Sequence, residues 1–261
     1  RLLASGGGSS PAEVDAIRVW DAESGEARAV LGTSPAWTNA LAFGADARLL
    51  ASGHTKTAAG VRFWDVQSAR ELTYVDYQGL DVAQIAFSPD GALLAVASQD
   101  SAIRVYDARG TELRTLSGHT ASVSHVSFSK DGARLASASV DLTVRVWDMA
   151  TGAAISCRRG HLNPVTEAAF LSDGEDRLVS LSLVDSTLRL WDAAPLDEPA
   201  TFDTGKYFVI FVAFSSDGGK LFTHQRCWDT STIQPLARLA AQEGWETTSW
   251  VAAGELLAWT V

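Results

Sequence analysis

Two sets of residues have the types that acyl-transfer chemistry uses. His119, Ser137 and Asp141 recur further along as His161, Ser180 and Asp185, and each set is followed by a tryptophan, Trp147 and Trp191. A serine hydroxyl becomes a nucleophile when a histidine takes its proton and a carboxylate holds that histidine in place. Such chemistry also needs an exposed hydroxyl and donors for the oxyanion. The same groups have a second use. A histidine held by a carboxylate and a hydroxyl satisfies buried polar atoms that would each cost about 1–3 kcal/mol unpaired. Two copies one repeat apart fit architecture better than catalysis. Ser139 competes with Ser137 for the hydroxyl role. Cys227 and His224 form another pair, but two ligands are too few for a metal site. Asp81 and Glu246, with His54 or His224, are the groups from which an acid–base centre would have to be built.

Composition narrows the choices. The 261 residues carry 21 Lys plus Arg against 31 Asp plus Glu, a net charge of −10. That balance disfavours a grip on nucleic-acid phosphates and a polybasic membrane patch. Hydrophobic residues make up 46 % and charged residues 20 %, a mix that buries a core. No apolar run approaches the ~18 residues of a membrane-spanning helix. Two cysteines suggest free thiols in a reducing, cytoplasmic setting. The bias of 17 Arg to 4 Lys suggests a GC-rich bacterial genome. The chain starts at Arg1 and is expected to be a piece of a longer one.

What positions these residues is a repeat. An aromatic residue followed by Asp recurs at Trp20-Asp21, Trp64-Asp65, Tyr106-Asp107, Trp147-Asp148, Trp191-Asp192 and Trp228-Asp229, at intervals of 44, 42, 41, 44 and 37. Upstream of these pairs lie apolar runs such as Leu49-Leu50-Ala51-Ser52 and Leu93-Leu94-Ala95-Val96. Phe-Ser-x-Asp-Gly or a near variant precedes four of the runs, at Phe87, Phe128, Phe170 and Phe214. Val123 to Phe128 and Val144 to Trp147 alternate as strands do, and Asp-Gly between such runs is a hairpin signal. No window shows a convincing helical period. Several short strands per ~42 residues describe one four-stranded sheet per repeat, and sheets stacked radially bury both faces.

The residues resemble the WD-repeat β-propeller family over the whole chain, most closely at 111–148, with Gly118-His119, Asp131-Gly132, Asp141 and Val144-Arg145-Val146-Trp147-Asp148. The implied fold is all-β: a single propeller domain over 1–261, with blades of strands A to D from the centre outward. Seven blades with incomplete first and last ones are favoured. Six blades closed by a strand near Thr247 to Val251 are the alternative. The resemblance implies that His119, Ser137, Asp141 and Trp147, and likewise His161, Ser180, Asp185 and Trp191, form structural tetrads. Other blades depart from this pattern. Blade 3 has Gln78, Val96 and Tyr106 for His, Ser and Trp but keeps Asp100; blade 2 has Ser34 and Ala58 for His and Asp. In blade 6 the stretch Leu221–Trp228 is short, which implies a clipped hairpin.

The resemblance also implies where partners dock, on the face reached by the loops before strand A and between strands B and C. The candidate residues there are Trp37, Asn39, Asp81, Gln99, Ser122, Ser124, Thr166, Phe208, Ile210 and Glu246. No Lys or Arg stands at these positions, and two carboxylates are too few for calcium. Arg18, Arg62, Arg104, Arg145 and Arg189 recur two residues before their aromatic and read as an architectural column. The expectation is a scaffold or sensor module that binds a protein or peptide, with no cofactor or metal. Fusion to a kinase, a nucleotide-switch ATPase or a protease-like domain is expected from bacterial members. A propeller enzyme with its site in the channel mouth is the alternative.

Overall fold

The computed structural model describes residues 1–7, 15–34, 37–55, 58–171, 177–191, 200–203, 212–214, 220–223, 226–229, 235–238, 250–252 and 255–257. Among them the regular elements are all β-strands, in seven antiparallel sheets in chain order. The first holds β1 (Leu2–Ser5), β2 (Asp15–Asp21) and β3 (Ala27–Ser34); the second β4 (Thr38–Phe43), β5 (Leu49–His54), β6 (Gly60–Asp65) and β7 (Arg70–Asp76). The third holds β8 (Val82–Phe87), β9 (Leu93–Ser98), β10 (Ile103–Asp107) and β11 (Glu112–Leu116); the fourth β12 (Val123–Phe128), β13 (Arg134–Ser139), β14 (Thr143–Asp148) and β15 (Ala154–Arg159). The fifth holds β16 (Glu167–Phe170), β17 (Leu178–Ser182), β18 (Thr187–Trp191) and β19 (Ala200–Asp203); the sixth β20 (Val212–Phe214), β21 (Lys220–Thr223), β22 (Arg226–Asp229) and β23 (Pro235–Arg238). The seventh pairs β24 (Trp250–Ala252) with β25 (Glu255–Leu257).

Local chemistry explains these hairpins. The Asp-Gly turns work at Asp90-Gly91 and Asp131-Gly132, where the glycines take φ of 73° and 72°. Each Asp also accepts from a serine hydroxyl and from the N–H two residues on, which closes the turn. In the second to fourth sheets the Asp after the aromatic has a similar task at the next turn: Asp65 accepts from Ser68, Asp107 from Arg109 and Thr111, and Asp148 from Thr151. Asp173-Gly174 and Asp217-Gly218 lie outside the described residues. In the sixth sheet β21 ends at Thr223 and β22 begins at Arg226, a two-residue connection and so a short hairpin.

The second to fifth sheets stand side by side with β4, β8, β12 and β16 adjacent, the arrangement of propeller blades. The core lies between sheets, so no sheet is stable alone. Val61, Phe63, Val82, Ile85, Leu94 and Tyr106 fill the space between the second and third. Ile103, Val105, Val123, Val126, Leu135 and Trp147 fill the next, and Val144, Val165, Ala168, Leu178 and Trp191 the one after. Gly53 shows how tight the fit is, because a Cβ there would lie 2.5 Å from Val82 Cγ1 of the neighbouring sheet.

Candidate functional site

The structure brings the two Ser-His-Asp sets together. His119 Nδ1 lies 2.8 Å from Asp141 Oδ2 and its Nε2 lies 2.7 Å from Ser137 Oγ. His161 repeats this with Asp185 at 3.1 Å and Ser180 at 2.7 Å. A carboxylate accepts, so Nδ1 carries the proton and Nε2 accepts from the serine hydroxyl. These distances alone are those of a catalytic triad. Two further facts separate them from one. Trp147 Nε1 donates to Ser137 Oγ at 2.8 Å, as Trp191 does to Ser180, which engages the lone pair a nucleophile needs. Ser137 is fully buried and Ser180 is 1 % exposed. Ser139 plays a different part, donating to the Ser122 carbonyl at 2.8 Å.

The electrostatics follow from burial and hydrogen bonding. Burial lowers the His119 and His161 imidazoles, against the raising effect of their carboxylates. Burial works to raise Asp141, but Thr143, the Thr120 N–H and His119 hold it at about 2. Each carboxylate also accepts from a threonine at 2.6 Å, Thr143 or Thr187, and from the N–H after its histidine, at Thr120 or Leu162. The tetrads therefore fix the loops on either side of them.

Other sheets reach the same end by other means. In the first, Trp20 Nε1 donates to Ser5 Oγ at 2.8 Å. In the second, Trp64 donates to Ser52 at 2.8 Å, and the histidine comes from the same strand: His54 Nε2 lies 2.8 Å from Ser52 Oγ. His54 is fully buried and so is no acid–base group at a channel mouth, which corrects that expectation. In the third, Arg104 and Ser98 both bond Asp100, and Arg104 lies 5.2 Å from the Tyr77 ring centroid. Tyr77 and Tyr106 pack with centroids 6.4 Å apart, filling the space of the absent His and Trp. The arginine column stands opposite the tetrad serine position in register: Arg18 faces Ser5, Arg62 Ser52, Arg104 Val96, Arg145 Ser137 and Arg189 Ser180.

The candidate docking residues separate into two groups. Asn39 and Ser124 sit in β-bulges of β4 and β12 and reach the next sheet. Asn39 Nδ2 donates to the Val82 and Ala83 carbonyls at 3.1 and 2.9 Å, and Ser124 Oγ to the Val165 carbonyl at 2.5 Å. Thr166 Oγ1 donates to the Leu181 carbonyl of its own sheet at 3.1 Å. These three candidates also make hydrogen bonds that hold the fold. Trp37 is 41 % exposed, and Gln99 Nε2 donates to Asp81 Oδ2 at 3.2 Å. Ser122 lends its carbonyl to Ser139 and Val140. Phe208, Ile210, Glu246 and His224 lie outside the described residues.

Apolar side chains also stand exposed at this end of the fourth and fifth sheets. Leu162 is 79 % exposed, Val184 63 % and Val140 44 %, with Leu142 beside them. Hydrogen bonds place them together. The Leu162 N–H donates to Asp185, the residue after Val184, and the Val165 N–H donates to the Ser139 carbonyl beside Val140. The loop carrying Leu162 therefore bridges the two turns that carry Val140 and Val184.

Comparison with known proteins fits this geometry. The family model described as WD domain, G-beta repeat, matches residues 72–107 and 110–148. The chain carries WD repeats. The matched spans cover the strands β7 to β10 and β11 to β14, and the second includes a complete tetrad, His119 to Trp147. WD-repeat relatives include the WD repeat-containing protein SL1-17 of Schistosoma mansoni, 33 % identical over 108 residues, which is 41 % of this chain and 35 % of that protein. The Target of rapamycin complex subunit wat1 of Schizosaccharomyces pombe is 32 % identical over 112 residues, 41 % of this chain and 34 % of its own length. The human WD repeat and SOCS box-containing protein 1 is 37 % identical over 81 residues, 30 % of this chain and 18 % of its own. The chain thus spans about a third of the first two relatives. Among the described residues no group of three His, Cys, Asp or Glu is placed to hold a metal ion, and no helix is long and apolar enough to cross a membrane.

Proposed function

We propose that this chain is a non-catalytic interaction module, one WD-repeat propeller over 1–261 with seven blades, that presents a rigid face to a protein or peptide. One observation carries the reading: the patch of Val140, Leu142, Leu162 and Val184 is solvent-exposed, yet the loops bearing it are pinned by two buried tetrads. Apolar groups held rigid in solvent anchor interfaces, because little ordering entropy is lost when a partner covers them. Trp37 and Asp81, on loops at the same ends of the second and third sheets, extend the candidate face. The membership of one relative in a complex, as its name states, supports a partner-binding role.

The charge of that face suggests the partner's chemistry. The described loop residues before strand A and between strands B and C carry Asp81 besides Asp100, Asp141 and Asp185, which are bonded within their blades, and no Lys or Arg is among them, while Lys56 and Lys206 fall in such loops outside the described residues. Arg48, Arg109 and Lys130 stand on the opposite turns, A to B and C to D, beside Asp46, Asp90 and Asp131. With a net charge of −10, the fitting partner is a segment that presents an apolar side chain flanked by Lys or Arg. A cytoplasmic setting agrees with the low cysteine count.

The test is a photo-crosslinking residue placed at position 162 in the native host, followed by affinity measurement with the purified adduct partner. Leu162→Glu with Val184→Glu should weaken binding at least tenfold while the thermal melt stays put. Equal affinity in the double variant, or a partner segment rich in Asp and Glu, would remove the reading.

A further inference from the structure

The outer strands of the fourth sheet reverse the charge that the second sheet carries at the same register. In the second sheet Arg62 pairs across to Tyr74, Trp64 to Glu71 and Gly60 to Asp76. In the fourth the same positions are Arg145 with Cys157, Trp147 with Ala154 and Thr143 with Arg159. A guanidinium among two carboxylates has become a pair of guanidiniums with no carboxylate. Arg62 is held by Glu71 at 2.7 Å and lies 4.4 Å from the Tyr74 ring centroid. In the third sheet Arg104 is held by Asp100, and an acid again stands opposite the aromatic, Glu112 facing Tyr106. Arg145 has no such partner. Asp141, the counterpart of Asp100, is engaged by His119 and Thr143. Among the described residues no carboxylate lies within ion-pair reach of Arg145 or Arg159.

Opposed and diagonal residues of an antiparallel pair share a face, so Arg145, Cys157 and Arg159 form one patch on β14 and β15. Cys157 and Arg159 are exposed, and Arg145 is half-buried, 6.0 Å from the Trp147 ring centroid. Arg158, opposite Val144, belongs to the other face. Ile155, the extra residue of the bulge beside Ala154, is 54 % exposed and gives the patch an apolar margin.

We propose that this patch binds an acidic segment of a partner protein, with an Asp or Glu carboxylate taking the place that Glu71 fills in the second sheet. Charge complementarity carries the assignment. A guanidinium without an acid of its own pairs a carboxylate through parallel hydrogen bonds. The net charge of −10 disfavours an acidic segment over the surface at large, so the attraction is local to these arginines. The patch lies on strands, apart from the loops that carry Leu162 and Val184, and its acidic ligand is separate from the basic segment fitted to those loops.

The test uses hexaglutamate as probe and Cys157 as reporter, on the full chain at low salt. Alkylation of Cys157 by iodoacetamide, read by mass spectrometry of its peptide, should slow about tenfold at roughly ten times the Kd of hexaglutamate. Hexaglutamine should leave the rate unchanged. Ala154→Glu returns the internal acid of the second sheet at an exposed position. It should raise the half-protecting concentration of hexaglutamate about tenfold, the loss of one charge-assisted pair, with the thermal melt unchanged. Arg159→Ala should do the same. No protection of wild-type Cys157, equal protection by hexaglutamine, or a half-protecting concentration that neither variant moves would overturn the proposal.

Discussion

His54 Nε2 lies 2.8 Å from Ser52 Oγ, two residues away on the same strand. In the fourth and fifth sheets the histidine that meets this serine comes from the loop before strand A, across the blade. The second sheet thus rebuilds the His–Ser–Trp contact locally, through Trp64 and Ser52, at a strand position that Ser139 occupies in the fourth sheet. His54→Leu leaves the Ser52 hydroxyl with one fewer partner in a fully buried site. A loss of about 1–3 kcal/mol in unfolding free energy is expected. Denaturant titration reads it directly, and a change within about 0.5 kcal/mol would show the contact to be incidental.

The two cross-blade tetrads set an acid limit. Burial lowers His119 and His161 below the usual 6.5, so the unfolded chain binds protons there that the folded one does not. Their contribution is complete above 6.5 and is lost as pH falls through the depressed folded values. Asp141 adds a second loss, beginning below 3.8 and running down to about 2. Melting temperature should therefore decline from neutral toward acid. His119→Asn should be less stable at neutral pH yet show a shallower decline. A variant with the same slope as the wild type would contradict the assignment.

Legibility in the sequence tracked the kind of interaction. The blades were readable because the aromatic-Asp pair closes a turn in each, and turn chemistry is local. The two full tetrads were readable because each Asp stands six residues before its Trp, with the serine and histidine near the same offsets in both. His54 was not, since a histidine at a strand end looks alike whether it faces solvent or a serine two residues back. The inter-blade hydrogen bonds of Asn39 and Ser124 were not legible, for a related reason. A bulge turns both residues toward the carbonyls of the next blade, and bulges leave no composition signal. Leu162 carries no sequence signal of its own, since its exposure depends on where Asp185 holds its backbone.

Packing between blades gives a prediction without polar groups. Gly53→Ala places a methyl 2.5 Å from Val82 Cγ1, so β5 or β8 must move. A cost of about 1–3 kcal/mol is expected, and the added substitution Val82→Ala should recover part of it. Two losses that simply add would mean the sheets do not meet there.

The face is tested by charge placed on its apolar anchors. The sites of Leu162→Glu and Val184→Glu are 79 % and 63 % exposed. Surface changes of this kind stay within about 0.5 kcal/mol in stability, so a loss of partner binding can be assigned to the face itself. Circular dichroism melts alongside binding isotherms separate the two outcomes. Unfolding of either variant at ambient temperature would place these side chains in the core instead.

The central claim is that Ser137 and Ser180 serve architecture. It is tested most directly by treating the folded chain with a fluorophosphonate probe and mapping adducts by mass spectrometry, with Ser137→Ala melted in parallel. The account predicts no adduct on either serine. It also predicts a drop of roughly 2–9 °C for the alanine variant, from buried Trp147 and His119 nitrogens left unpaired. An adduct on Ser137 or Ser180, in a chain whose Ser137→Ala variant melts as the wild type does, would contradict it.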